Sequence, residues 1–315
     1  MKRNLNIDVI KGIGIILVVW GHSCGIGLRE ICIFHMPLFF LLAGMFYKPK
    51  DNFVFSRFKR LLIPFFKYSF FFAALLWFTG LQATAMGKFS IYHIAAFDGP
   101  LWFLIALFWI CIFYHILNKI ISNGTVLLLS TFVVGFTFAY LDIKMPFFLR
   151  QALFSIPFYA FGRWLMQANL LHDKRFNGKA ALISLLGFIS VVIYCRLAPC
   201  RFDISMLQFS NHPVMFYIGG ISATYLLLNI SYFNRYTLIN KVLASMGINS
   251  LTIMALHAPF LWFFKDMVLE NNNMLNNIKM GGVIVGFVSF VLFMLISYLI
   301  ALGMQEFDKV VKTEK

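Results

Sequence analysis

The stretch DVIKGIGIILVVWGHSCG, Asp8 to Gly25, decides the fold. Most of it is Ile, Leu, Val and Gly, and its length suits a helix that crosses a hydrocarbon core, which takes about 20 residues. Yet it carries Asp8, Lys11 and His22, three groups that a bilayer resists. The same apolar habit runs through the chain. Of 315 residues, 61% are hydrophobic and 12% charged, and the mean hydropathy is +0.82. A soluble domain is about half apolar and about a quarter charged. The expected fold is an all-α polytopic membrane helical bundle. No polar run is long enough for a second globular domain, so residues 1–315 are expected to form a single integral-membrane domain.

About ten runs are long and apolar enough to be transmembrane helices, near residues 9–28, 31–47, 61–83, 100–117, 124–141, 147–166, 180–197, 213–231, 250–267 and 281–304. The second is short and contains Pro37, which points to a broken or re-entrant segment. The net charge of +15 has its source in the loops. With the N-terminus inside, most of the 27 Lys and Arg fall on the inner side, among them Lys48, Lys50, Arg57, Lys59, Arg60, Lys174, Arg175 and Lys241. The outer segments hold fewer: Arg29, Lys88, Lys144, Arg196, Arg201 and Lys279. That bias places both termini in the cytoplasm. It also accounts for the basic balance without nucleic acid as a partner. The chain is expected in a cell (inner or plasma) membrane, with the lipid bilayer as its solvent. Asp8 and Lys11 interrupt the first run, and no small-x-small site follows it, so it reads as an uncleaved span.

The five cysteines form no CxxC pair and no zinc-spaced cluster, so no metal is expected. Cys195 and Cys200 fall together on the outer side, where a disulfide is open but not fixed by sequence. ENNNMLNNIK at 270–279 reads as an outer loop.

On a helix at about 100° per residue, Lys11 and His22 lie about 20° apart around the axis and Asp8 about 40° from His22. The three share one face. Lys11 and His22 are roughly 16 Å apart along the axis. Gly12, Gly14 and Gly21 thin the helix, admitting a neighbour or a ligand. Asp8 and Lys11 read either as an interfacial ion pair or as part of a site. His22 reads either as a polar residue bonded to a helix neighbour or as a general base, since neutral imidazole accepts a proton near pH 7.

Five features in order resemble the integral-membrane acyltransferase family 3. They are Asp8-x-x-Lys11 with His22 after ten further residues, FHMPLFFLLAG at 34–44, RFKRLLIP at 57–64, GPLWFLIALF at 99–108 and GINSLTIMALHAP at 247–259. Two positions depart from the family pattern: Ala43 where Ser is common and Lys11 where Arg is common. The resemblance implies a membrane O-acyltransferase of the cell envelope, most simply an O-acetyltransferase. It would move an acyl group from acetyl-CoA or another acyl-CoA to a hydroxyl of a polysaccharide or lipid-linked glycan. It implies His22 as general base or transient acyl carrier and His35 beside the transfer centre as an oxyanion stabiliser. His35 has an equal alternative as a hydrogen-bonding fix for the Pro37 segment. Lys11, Arg57 and Arg60 would hold the donor phosphates, with Asp8 in support and the pantetheine arm running along the first helix past its glycines. His257 is expected to be structural, satisfying a carbonyl that Pro259 frees. Arg150 and Arg163 are expected in structural ion pairs or at interfaces, and Trp102 as an interfacial anchor. His93, His115, His172 and His212 receive no role. The rival from the intramembrane charges is a transporter or flippase for a glycan or small metabolite.

Overall fold

The computed structural model describes residues 4–79, 99–168, 177–198, 200–208, 212–233, 237–265 and 281–313. The stretch at 270–279, His93, His172, Lys88, Lys174, Arg175 and Lys279 lie outside the described residues. The described chain is helical, with one isolated bridge between Asp203 and Gln208. Each of the ten apolar runs coincides with a helix. Among the described residues, six helices are long and apolar enough to cross a membrane, or up to seven if a bent pair counts as one span. The fold is thus an all-α, multi-pass membrane protein. It divides into two compact units, one joining Met1–Ile31 to Tyr236–Lys315 and the other comprising Cys32–Arg235.

In the first unit, α1 (Leu5–Cys24) starts at Asn4, whose side chain accepts the Asn6 N–H at 3.1 Å. It ends at Gly25, whose φ of 68° is the left-handed geometry that favours glycine. Trp20 closes the turn by donating its indole N–H to the Ile26 carbonyl at 2.9 Å. The partners of α1 come from the far end of the chain. A short helix, which we number α10 (Leu238–Ile248), leads into α11 (Ser250–Lys265) through a 69° bend, and α12 (Gly281–Thr313) follows. No apolar run marks α10, because eleven residues carrying Asn240, Lys241 and Ser245 read as an inner loop. Packing against α1 makes it a helix, and Asn240, Ala244 and Gly247 are buried. The bend is fixed at Asn249. Its amide donates to the Ser245 carbonyl at 2.9 Å and to the Gln305 side chain of α12 at 3.3 Å.

The second unit contains most of α2 (Leu28–Met45) and then α3 (Phe53–Arg57), a π-helical turn (Phe58–Leu62) and α4 (Ile63–Thr79). It continues through α5 (Trp102–Ile120), α6 (Gly124–Tyr140), α7 (Leu149–Gln167), α8 (Gly178–Leu197) and α9 (Pro213–Phe233). The break expected at Pro37 is absent, and α2 runs through it. A Cβ on Gly220 of α9 would stand 2.9 Å from Pro37 Cβ, so the proline is sheltered by protein rather than left to lipid. Helices α2 and α7 meet through paired glycines, Gly44 under the Tyr159 carbonyl and Gly162 under the Leu41 carbonyl. Trp102 is buried against Phe148, with ring centroids 5.9 Å apart, and so packs inside the unit instead of anchoring at an interface. All five cysteines are free thiols, so Cys195 and Cys200 form no bridge.

Arg150 is structural. Its guanidinium donates to Asp142 at 2.8 Å and to the carbonyls of Phe138 at 3.1 Å and Ala139 at 3.5 Å, tying the end of α6 to the start of α7. The Asp142 side chain is 97% exposed, so the ion pair itself contributes little. Asp142→Asn is expected to cost under about 1 kcal/mol. Arg150→Met, which removes every donor to those carbonyls, is expected to cost about 2 kcal/mol. Thermal unfolding of the two purified variants in one detergent checks the order.

Candidate active site

His22 stands in the last turn of α1 and is exposed, while His257 of α11 is fully buried. Their rings meet, with Nδ1 of His22 2.9 Å from Nε2 of His257. The ring planes differ by 9° and the centroids are 5.2 Å apart. Carbons of face-to-face rings keep about 3.5 Å or more between them. A nitrogen–nitrogen distance of 2.9 Å between near-parallel rings therefore means an edge-to-edge contact, each nitrogen aimed at the other. The second nitrogen of His257, Nδ1, lies 3.1 Å from the Ile253 carbonyl. The carbonyl it meets is that of Ile253, four residues before His257, and not that of Ala255, which Pro259 frees, and with its other nitrogen it engages His22. Helix periodicity along α1 could not reveal this partner, which lies 235 residues away.

The other two charges of α1 sit near its start. Lys11 Nζ is 4.0 Å from Asp8 Oδ1, the outer limit of an ion pair, with the Asp8 side chain buried and that of Lys11 30% exposed. The helix is thin here for a neighbouring helix. Gly12 lies under the Leu243 carbonyl, and Gly247 lies under the Asp8 carbonyl, where a Cβ would stand 2.8 Å from the Gly12 nitrogen. Gly21 faces side chains of Leu28 and Ile31. Protein thus occupies the space that a side chain at Gly12 or Gly21 would fill. His35 lies in the other unit, half-buried in α2 two residues before Pro37.

The second unit gathers cations around an aromatic floor. Tyr47 is buried just past α2 and donates or accepts at 2.9 Å with Nδ1 of His115. His115, unassigned from sequence, also stacks on Phe53 with centroids 4.4 Å apart and so fixes α3 against α5. Arg57 lies over the Phe53 ring at 4.8 Å and Arg163 over the Tyr47 ring at 5.9 Å. Burial pushes the Tyr47 phenol above its usual range, and the charges of Arg163 and Arg57 oppose that. The Nε of Arg163 is buried with no hydrogen-bond partner among the described residues. Among those residues, none of Arg57, Arg60 and Arg163 forms an ion pair with a carboxylate. Arg60 sits in the π-helical turn and is exposed. Of the two expectations for Arg163, an ion pair or an interface position, no ion pair is formed among the described residues, and its guanidinium lies over the Tyr47 ring.

A family model described as an acyltransferase domain, that of acyltransferase family 3, matches residues 4–302. The chain belongs to acyltransferase family 3. No curated protein and no solved structure gives a match. The match takes in both units, so the histidine pair and the cationic cluster both lie within the acyltransferase domain. Among the described residues of this acyltransferase, no group of three or more His, Cys, Asp or Glu is placed to hold a metal ion.

Proposed function

We propose that this membrane acyltransferase is an O-acyltransferase that uses an acyl-CoA, in the simplest case acetyl-CoA, and acylates a hydroxyl of a cell-envelope polysaccharide or its lipid-linked precursor. It would work in the cell's inner or plasma membrane, crossing it about ten times with both termini in the cytoplasm. The observation that carries the reading is the imidazole of His22, exposed at the end of a membrane helix and hydrogen-bonded to a second, buried imidazole. A hydroxyl becomes a competent nucleophile when its proton has a positioned acceptor. In direct transfer, His22 takes the acceptor's hydroxyl proton as the oxygen bonds to the thioester carbonyl carbon. The carbon–sulfur bond then breaks, and the proton passes to sulfur, leaving free coenzyme A and an O-ester. The covalent variant has His22 carry the acyl group between two such steps. His35 is assigned the donor role toward the carbonyl oxygen as it gains charge.

The donor would bring phosphates, and unpaired guanidinium groups suit them because each offers a planar fork of N–H donors. Arg57, Arg60 and Arg163 support that role, with Lys11 and Asp8 as a further polar pair on α1. Replacing Arg57 and Arg163 together by Gln is expected to raise the KM for acyl-CoA by about tenfold or more, with kcat changed less, each charge-assisted bond contributing about 1.5–3 kcal/mol. The measurement is coenzyme A thiol release by the protein in proteoliposomes with a soluble glycan acceptor. Acylation that proceeds without any thiol release from acyl-CoA would remove the donor from this reading.

A further inference from the structure

We propose that His257 is a positioning residue that holds His22 in the tautomer protonated on Nδ1, making Nε2 the basic nitrogen of His22; this rests on the reading of His22 as the base. The chain of bonds fixes the protons. A backbone carbonyl only accepts, so the nitrogen of His257 facing Ile253 carries a hydrogen. In the neutral ring the other nitrogen, Nε2, is then an acceptor. The nitrogen of His22 opposite it, Nδ1, must donate. A neutral imidazole that donates from Nδ1 keeps its lone pair on Nε2.

The arrangement does for an imidazole what a carboxylate does in a serine-hydrolase triad, orienting the ring and choosing which nitrogen is basic. A neutral histidine brings no negative charge, which suits a helix inside a bilayer, where an unpaired carboxylate is costly. Its acceptor also stays useful after His22 has taken a proton, because the imidazolium still donates from Nδ1. The geometry is held from both sides. His257 is fully buried and tied to its own helix at Ile253. Helix α1 is held against α10 by the Gly12 and Gly247 contacts.

Two variants separate positioning from packing. His257→Leu removes the acceptor, whereas His257→Gln offers a side-chain oxygen close to the place of Nε2. With unfolding temperatures matched to the wild type, His257→Leu is expected to lower kcat about 10²-fold or more, as a wrong tautomer does in a triad, with KM for acyl-CoA within about twofold. His257→Gln is expected to recover most of that loss. Solid-state NMR of the ¹⁵N-histidine-labelled full chain in lipid reads the tautomer itself, the His22 signals being those lost in His22→Gln. The wild type and His257→Gln should show His22 protonated on Nδ1, and His257→Leu should shift or mix that proton. A wild-type His22 protonated on Nε2 overturns the proposal, and so does a folded His257→Leu with unchanged kcat. If the tautomer is as stated but His22→Ala keeps full turnover, the base assignment falls while the pairing stands.

Discussion

His22→Ala is expected to lower O-acylation by about 10²- to 10⁴-fold, the range general acid–base catalysis supplies. The variant removes a side chain at an exposed position, so little packing is lost with it. The effect should therefore fall on turnover rather than on protein level. The measurement is glycan O-acylation in cells making equal amounts of wild type and variant, with export of the glycan followed in parallel. Lost acylation with intact export fits the acyltransferase. Retained acylation with failed export would instead favour a transporter, the other class that intramembrane charges mark. His22→Gln should be as inactive, because an amide keeps a donor for His257 but has no nitrogen able to take a proton at neutral pH. The covalent variant of the mechanism makes a separate demand. A labelled acyl group should remain on the wild type, and not on His22→Gln, when donor is supplied without acceptor.

The second large effect is on stability. Gly247→Ala puts a methyl group onto the Asp8 carbonyl of α1, and Gly12→Ala puts one onto the Leu243 carbonyl of α10. Neither obstacle is a flexible side chain, so the helices must separate. Overpacking of this kind costs about 3 kcal/mol at the upper end of its usual range. Each variant should unfold at a clearly lower temperature in detergent. Gly303→Ala is the matched control. It also adds a methyl to a helix, but nothing lies within 4 Å of the new atom, and alanine is the better helix former by about 1 kcal/mol. It should leave the unfolding temperature unchanged or raise it. Equal losses at Gly247 and Gly303 would show that close approach to the neighbouring helix does not set the cost at Gly247.

The residues of α1 show how far a sequence carries. Periodicity put Asp8, Lys11 and His22 on one face, and hydropathy made that face part of a membrane helix, because both follow from local geometry. The ten helical runs were legible for the same reason. So was the anomaly of three polar groups in an apolar span. Pro37 misled, since whether a proline breaks a membrane helix depends on what shelters it, and its shelter is Gly220 on a distant helix. Helix α10 was missed because its polar residues give no apolar period long enough to notice, and its stability comes from α1.

The site divides along the same line. The order of residues alone specifies an all-helical membrane protein, an ionisable first span and the motifs of an acyltransferase. It specifies also which residue types are available: one imidazole on α1, an arginine pair at Arg57 and Arg60, a histidine in ALHAP. Helix packing settles which of these meet. It joins His22 to His257 and sets Arg57 and Arg163 over the rings of Phe53 and Tyr47. It also fills the space that a side chain at Gly12 would take. A helical pattern fixes the face on which a side chain lies within its own helix. It carries no information about what faces it from 235 residues away, because that contact is set by how helices pack.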